Sequence, residues 1–141
     1  MGARSSCVLP PRVHLCRLGS HLTASKRKGT AAETALVKYL REKGFGQAER
    51  RALAGNHDKG DIANAGNLTW EVKNQGTYKL AEWLTELQIE KENNGTEHGV
   101  VIAKPRGIGM DSVDLWYAVL PVKDFVELAR DAGHGDERTT T

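Results

Sequence analysis

The chain of 141 residues is 39% hydrophobic and 27% charged, a composition suited to one domain of ordinary size and too small for a second full one. No apolar run approaches the roughly 20 residues that cross a bilayer, so a membrane-spanning helix is excluded and a soluble protein is expected. The net charge of +2 is unevenly spread, since residues 1 to 32 carry +6 with no acidic side chain while residues 33 to 141 carry −4.

Residues 1 to 28 contain Pro10 and Pro11, show no apolar periodicity and hold little hydrophobic surface to offset the entropy of ordering them. They are expected to form a basic, disordered extension. A basic, acid-free start also has the form of an organelle-targeting segment, and ordered structure is the third reading; the continuous apolar stretch of a secretory signal is missing. Cys7 and Cys16 have no second cysteine pair or clustered histidines to complete a zinc site and read as free thiols.

From residue 30 to 43, Leu36, Val37 and Leu40 recur at helical spacing, and Gly44 follows as a stop. Residues 47 to 54, 60 to 65 and 68 to 75 read as three strands of an antiparallel meander, separated by turn formers. Residues 79 to 93 predict a second helix, with Leu80, Trp83, Leu84 and Leu87 on one side and Glu82, Glu86 and Glu90 on the opposite, solvated side. Trp83 is expected in the core. Two more strands, 99 to 104 and 113 to 120, flank a glycine-rich loop at 105 to 110. Pro121 then opens a third helix with an apolar stripe of Val122, Phe125, Val126 and Ala129. The domain is thus expected over residues 29 to 132, with 133 to 141 as a disordered polar tail. The fold class is α/β, a mixed five-stranded sheet flanked by helices in the order αβββαββα.

One constellation carries chemistry. Gly60-Asp61-Ile62 precedes, by one hairpin, Trp70-Glu71-Val72-Lys73. Strand alternation puts Glu71 and Lys73 on one face, about 7 Å apart, with Trp70 and Val72 on the other. If the preceding strand pairs across the Gly66-Asn67 turn, Asp61 comes alongside Glu71. Two carboxylates and the Val72 carbonyl make the hard oxygen set that magnesium prefers, and Lys73 would orient water or offset phosphate charge.

Asp61, Glu71, Val72 and Lys73 resemble the D…(D/E)xK core of the PD-(D/E)XK nucleases, and the resemblance covers roughly residues 29 to 130. It is nearest to the Holliday junction resolvases of archaeal and phage type. The resemblance implies a restriction-endonuclease-like core and a homodimeric, magnesium-dependent endonuclease on branched or duplex DNA. Manganese is expected to substitute, and no nucleotide cofactor or membrane partner is involved. It further implies a role in DNA recombination or repair in the cytoplasm of a bacterium or phage-infected cell. Within it Asp61, Glu71, the Val72 carbonyl and Glu33 would hold the metal, and Lys73 would be base or phosphate stabiliser. Gly60 stands where the family often has proline. Rival expectations are another nuclease of this superfamily, restriction-like or RecB-like, and a DNA-binding subunit that has lost turnover.

Glu33 has two readings. Thr30-Ala31-Ala32-Glu33 has the form of a capping box. Glu33 also falls in register with Leu36, Val37 and Leu40, which would aim its carboxylate toward the sheet and a metal. Gln75 shares the face of Glu71 and Lys73 and is a further candidate, whereas Asn74 points away. Arg50, Arg51, Lys104 and Arg106 are candidate DNA-backbone contacts, with surface ion pairs as the alternative for the two arginines. His57 reads as a surface residue. The acidic side of the second helix would repel phosphate, so DNA is expected to approach elsewhere.

Overall fold

The computed structural model describes residues 19 to 52 and 57 to 136. The extension expected to be disordered therefore lies outside the described residues up to position 18, together with Cys7 and Cys16. From Gly19 onward that expectation fails, because helix α1 spans Gly19–Glu42 rather than starting at residue 30. The segment after Pro11 contains no further proline, and Ala24, Lys26, Arg27 and Lys28 are good helix formers, so extending an existing helix backward costs little. The helix ends where Gly44 takes φ +104°, a conformation open to glycine, and the Phe45 N–H closes back on the Leu40 carbonyl at 2.9 Å.

Five strands form one mixed sheet in sequential order: β1 Glu49–Arg50, β2 Ile62–Ala63, β3 Leu68–Lys73, β4 His98–Ala103 and β5 Tyr117–Val119. β1, β2 and β3 are the expected antiparallel meander. Helix α2, Leu80–Asn94, carries the chain across to β4, which pairs parallel to β3 with Glu71 opposite Val101 and Val72 opposite Ile102. β5 returns antiparallel, and α3, Val122–Asp131, closes the chain order. Gly95 ends α2 in the left-handed conformation, φ 70°.

Side-chain alternation along β3 and β4 divides the core. Trp70, Val72, Val100 and Ile102 pack with Leu36, Val37 and Leu40 of α1, while Val101 and Ala103 pack with Trp83 and Leu87 of α2. Trp83 is a core residue, as expected.

Several boundaries differ from the sequence reading. β1 holds only Glu49–Arg50 of the expected 47 to 54, of which 53 and 54 lie outside the described residues, and β2 is shorter than 60 to 65 because Gly60 at φ +87° and Asn64 at φ 59° interrupt extended backbone on both sides of it. Residues 113 to 115 form a 3-10 turn instead of the start of a strand, closed by Trp116 N–H on the Val113 carbonyl at 3.0 Å. The glycine-rich loop is pinned, since Ile108 and Met110 pack on the α1 core and Trp116 Nε1 donates to the Gly109 carbonyl at 3.1 Å.

Helix α3 departs most. Its stripe of Val122, Phe125 and Val126 is exposed, and the helix instead docks through Asp124, which is 3% exposed. Asp124 Oδ2 accepts from Lys91 Nζ at 2.8 Å and from the Gly99 N–H at 3.2 Å, and these partners hold its carboxyl below the usual range despite burial. No helix among the described residues is long and apolar enough to cross a membrane.

Candidate active site

β2 and β3 set the geometry. Ile62 pairs with Trp70, and the Asp61 N–H donates to the Trp70 carbonyl at 2.7 Å, so Asp61 stands opposite Glu71 at the end of the short ladder. Gly60 makes this approach possible. A Cβ at Gly60 would lie 2.7 Å from the Trp70 carbonyl oxygen, and φ +87° is closed to proline, whose ring fixes φ near −65°. This accounts for glycine at the position where the resembled family often has proline.

Beyond Asp61 the chain leaves β3, and the freed edge opens into a cleft of about 550 Å³. Glu33 of α1, Asp61, Glu71, Val72 and Lys73 all line it, and Gln75 stands exposed at its rim. α1 covers one face of the sheet and α2 the other, so the cleft is a notch at a sheet edge that both faces reach.

Three carboxyls crowd behind the notch. Asp61 Oδ2 accepts from the Val72 N–H at 2.7 Å. Burial, then the Glu71 charge, nevertheless push Asp61 up to about 8. Glu71 is pushed up to about 7 by burial and by Glu90, against the pull of Lys73. Glu90 of α2 rises to about 7 through burial and the charges of Asp58 and Asp61, with contact from Glu71 opposing. Glu71 Oε2 and Glu90 Oε2 are buried without a hydrogen-bond partner.

Lys73 Nζ lies 3.0 Å from Glu71 Oε1 and 2.7 Å from Glu86 Oε2. Burial alone would lower Lys73, but the two carboxylates overcome it and hold the ammonium above its ordinary value. Lys73 is thus a fixed cation at this site, fitted to offset negative charge and poorly fitted to accept a proton.

Of the three glutamates expected on the outer side of α2, Glu82 is exposed and Glu86 is half-exposed, but Glu90 is not. Glu86 clamps Lys73, and Glu90, 6% exposed, joins the acidic cluster. The signal was present in the spacing: Trp83, Leu87, Glu90 and Asn94 fall at i, i+4, i+7 and i+11, which puts Glu90 on the buried stripe.

Glu33 is not a cap, because α1 runs through Thr30 without interruption and Thr34 Oγ1 donates to the Thr30 carbonyl at 2.8 Å. Its carboxylate faces the notch and pairs with Arg50 Nε at 2.8 Å. The structure therefore places Arg50 on Glu33 and Arg51, half-buried, near Asn94 Oδ1 at 3.5 Å. Arg50 is thus engaged within the protein, whereas Arg51 Nε is buried with no hydrogen-bond partner. Lys104 and Arg106 line a second cleft adjoining the first. Asn74 Nδ2 donates to the Lys28 carbonyl at 3.3 Å and ties β3 to α1, while His57 is exposed.

The donors present fit a magnesium ion. Among the described residues no three acidic, histidine or cysteine side chains converge as a ready cage. Magnesium, however, commonly rests on one or two carboxylates and keeps several waters. Asp61 and Glu71 supply those carboxylates, and Glu71 Oε2 is buried with no hydrogen-bond partner of its own. The Val72 carbonyl leaves β3 on the same edge as its N–H, the edge that faces Asp61. Compared with family models, curated proteins and solved structures, the chain gives no match.

Proposed function

We propose that the chain is a metal-dependent DNA endonuclease with a PD-(D/E)XK, restriction-endonuclease-like core, resembling the Holliday junction resolvases in acting on branched DNA. The observation that carries this reading is the shared cleft of Glu33, Asp61, Glu71, Val72 and Lys73, drawn from α1, the start of β2 and β3. The αβββαββα order and the β1-β2-β3 meander supporting Asp61 opposite Glu71 agree with it.

Asp61, Glu71 and the Val72 carbonyl would hold magnesium, or manganese in its place, with Glu33 assisting at the cleft side. When bound, the ion supplies an activated water and a counter-charge for the phosphate. The remaining work belongs to the protein. Lys73, fixed by Glu71 and Glu86, presents a cation where charge develops on the phosphate oxygens. The buried wall of Trp70 and Val72 keeps the acidic edge rigid. Glu33, on the α1 side and released from Arg50, can orient water toward the same edge. Symmetric cutting of a junction needs two such sites, which a twofold homodimer provides.

A cleavage panel of four-way, flap and linear duplex DNA with magnesium tests the reading. Nicking confined to branched substrates supports the resolvase-like assignment, and cutting of linear duplex or ends favours a restriction-like or RecB-like enzyme. Binding without cleavage in both magnesium and manganese would leave a non-catalytic DNA-binding subunit.

A further inference from the structure

The second cleft, of about 410 Å³, shares Lys28, Asn74, Gln75 and Gly76 with the notch, so the two form one continuous trough. Its remaining cations are Lys104 and Arg106, from the loop after β4. Lys28, Lys104 and Arg106 come from two separate elements and converge here, and none has a carboxylate partner among the described residues. Arg50 shows the contrast, since its guanidinium is neutralised by Glu33. Like charges gathered without partners repel, so their convergence is stabilised when an anion enters.

Gly76 explains how Arg106 reaches the trough. A Cβ at Gly76 would stand 2.6 Å from Arg106 Nη2, so the guanidinium lies directly on the glycine. The position has no positive φ and is exposed, and the bare backbone is needed only to admit this side chain. The wall shared with the acidic notch puts the guanidinium beside the place where a scissile phosphate would sit.

We infer that Lys28, Lys104 and Arg106, with Gly76 as the seat of the guanidinium, form a subsite for a phosphate of the nucleic-acid backbone adjoining the scissile one, which would meet the metal held by Asp61 and Glu71. The inference deepens the nuclease reading and rests on it for the position of the scissile phosphate. The subsite takes phosphodiester oxygens without reading bases. Free inorganic phosphate shares that chemistry and is the other source to be separated.

The test is binding of a labelled DNA duplex to the full chain in chelator, by fluorescence polarisation over a range of salt. Arg106→Ala, Lys104→Ala and Lys28→Gln are each expected to lower the magnitude of the slope of log K against log salt by about 0.9, one phosphate contact apiece. Gly76→Ala is expected to do the same by displacing Arg106, with an unchanged melting temperature, because the clash falls on the far end of a flexible side chain. The double variant Gly76→Ala/Arg106→Ala then binds no more weakly than Arg106→Ala alone. Wild-type slopes in the three cation variants would overturn the subsite, and additive losses in the double variant would overturn the role of Gly76. Competition by millimolar inorganic phosphate, with DNA slopes unaltered by the substitutions, would assign the cations to free phosphate and overturn the nucleic-acid assignment. No cleavage occurs in chelator, so a wild-type protein that never cuts DNA with magnesium fails the nuclease reading alone. Cleavage with magnesium alongside unaltered slopes fails the subsite alone.

Discussion

Glu33 could serve its own helix or the cleft, and the uninterrupted run of α1 through Thr30 decides for the cleft. The Glu33→Gln variant should therefore lose only its pairing with Arg50, which at a partly exposed site is worth about 0.2–1 kcal/mol, so its melting curve should barely move. Cleavage should fall at least about 100-fold if the carboxylate positions water or metal, an effect of the size general-base groups contribute. Normal cutting by Glu33→Gln would remove the residue from the site. Asp61 gives a second prediction, by pH. Its carboxyl is pushed up to about 8 in the folded chain, above its ordinary 3.8, so ionising it costs the folded state. The stability it contributes is complete below about pH 4 and is lost as pH rises through about 8. In chelator, thermal melts at pH 5 and pH 9 should show the wild type losing more stability than Asp61→Asn; equal losses would contradict the crowding of carboxyls described here. The residues of the notch were legible because a strand alternates with period two and a hairpin fixes register. Glu90 and Glu86 were passed over, because three glutamates at helical spacing look the same at first reading whether they meet water or a partly buried lysine. Only the phase relative to Trp83 and Leu87 separates those cases.

At the scale of elements, the presence of three helices could be read from apolar spacing and the ends of α1 and α2 from Gly44 and Gly95, whereas the start of α1 and the strand lengths could not. β2 holds two residues because Gly60 and Asn64 take positive φ, a property of the packed backbone that composition only hints at. α3 shows the same limit from the other side. Its apolar stripe predicts docking by Val122, Phe125 and Val126, yet the helix is held by a buried ion pair between Lys91 and Asp124. Gly99 admits that pair, since a Cβ there would lie 2.9 Å from the Lys91 stem. Asp124→Asn leaves the buried ammonium without its counter-charge and should cost about 3 kcal/mol in urea unfolding. Adding Lys91→Met should recover much of the loss. A single variant as stable as the wild type would show that α3 is held by other contacts.

Across the whole molecule, the order αβββαββα was readable in the sequence, because it follows from hydrophobic periodicity and turn formers. The notch itself was not. It arises where β2 begins late, so that α1, covering one face, and α2, covering the other, both reach the edge of β3. That placement sets acidic groups at the bottom of a trough whose far wall is cationic. A phosphate backbone lying in the trough would meet Lys28, Lys104 and Arg106 at one end and the carboxyls of Asp61 and Glu71 at the other. The central claim is that those carboxyls and Lys73 hydrolyse a phosphodiester. Its most direct measurement compares wild type, Asp61→Asn and Lys73→Ala on an end-labelled four-way DNA junction, with magnesium and with chelator, scoring bound and cut DNA in parallel. The account predicts magnesium-dependent nicks from the wild type alone, with junction binding retained in both variants. Undiminished cleavage by purified Asp61→Asn would contradict it.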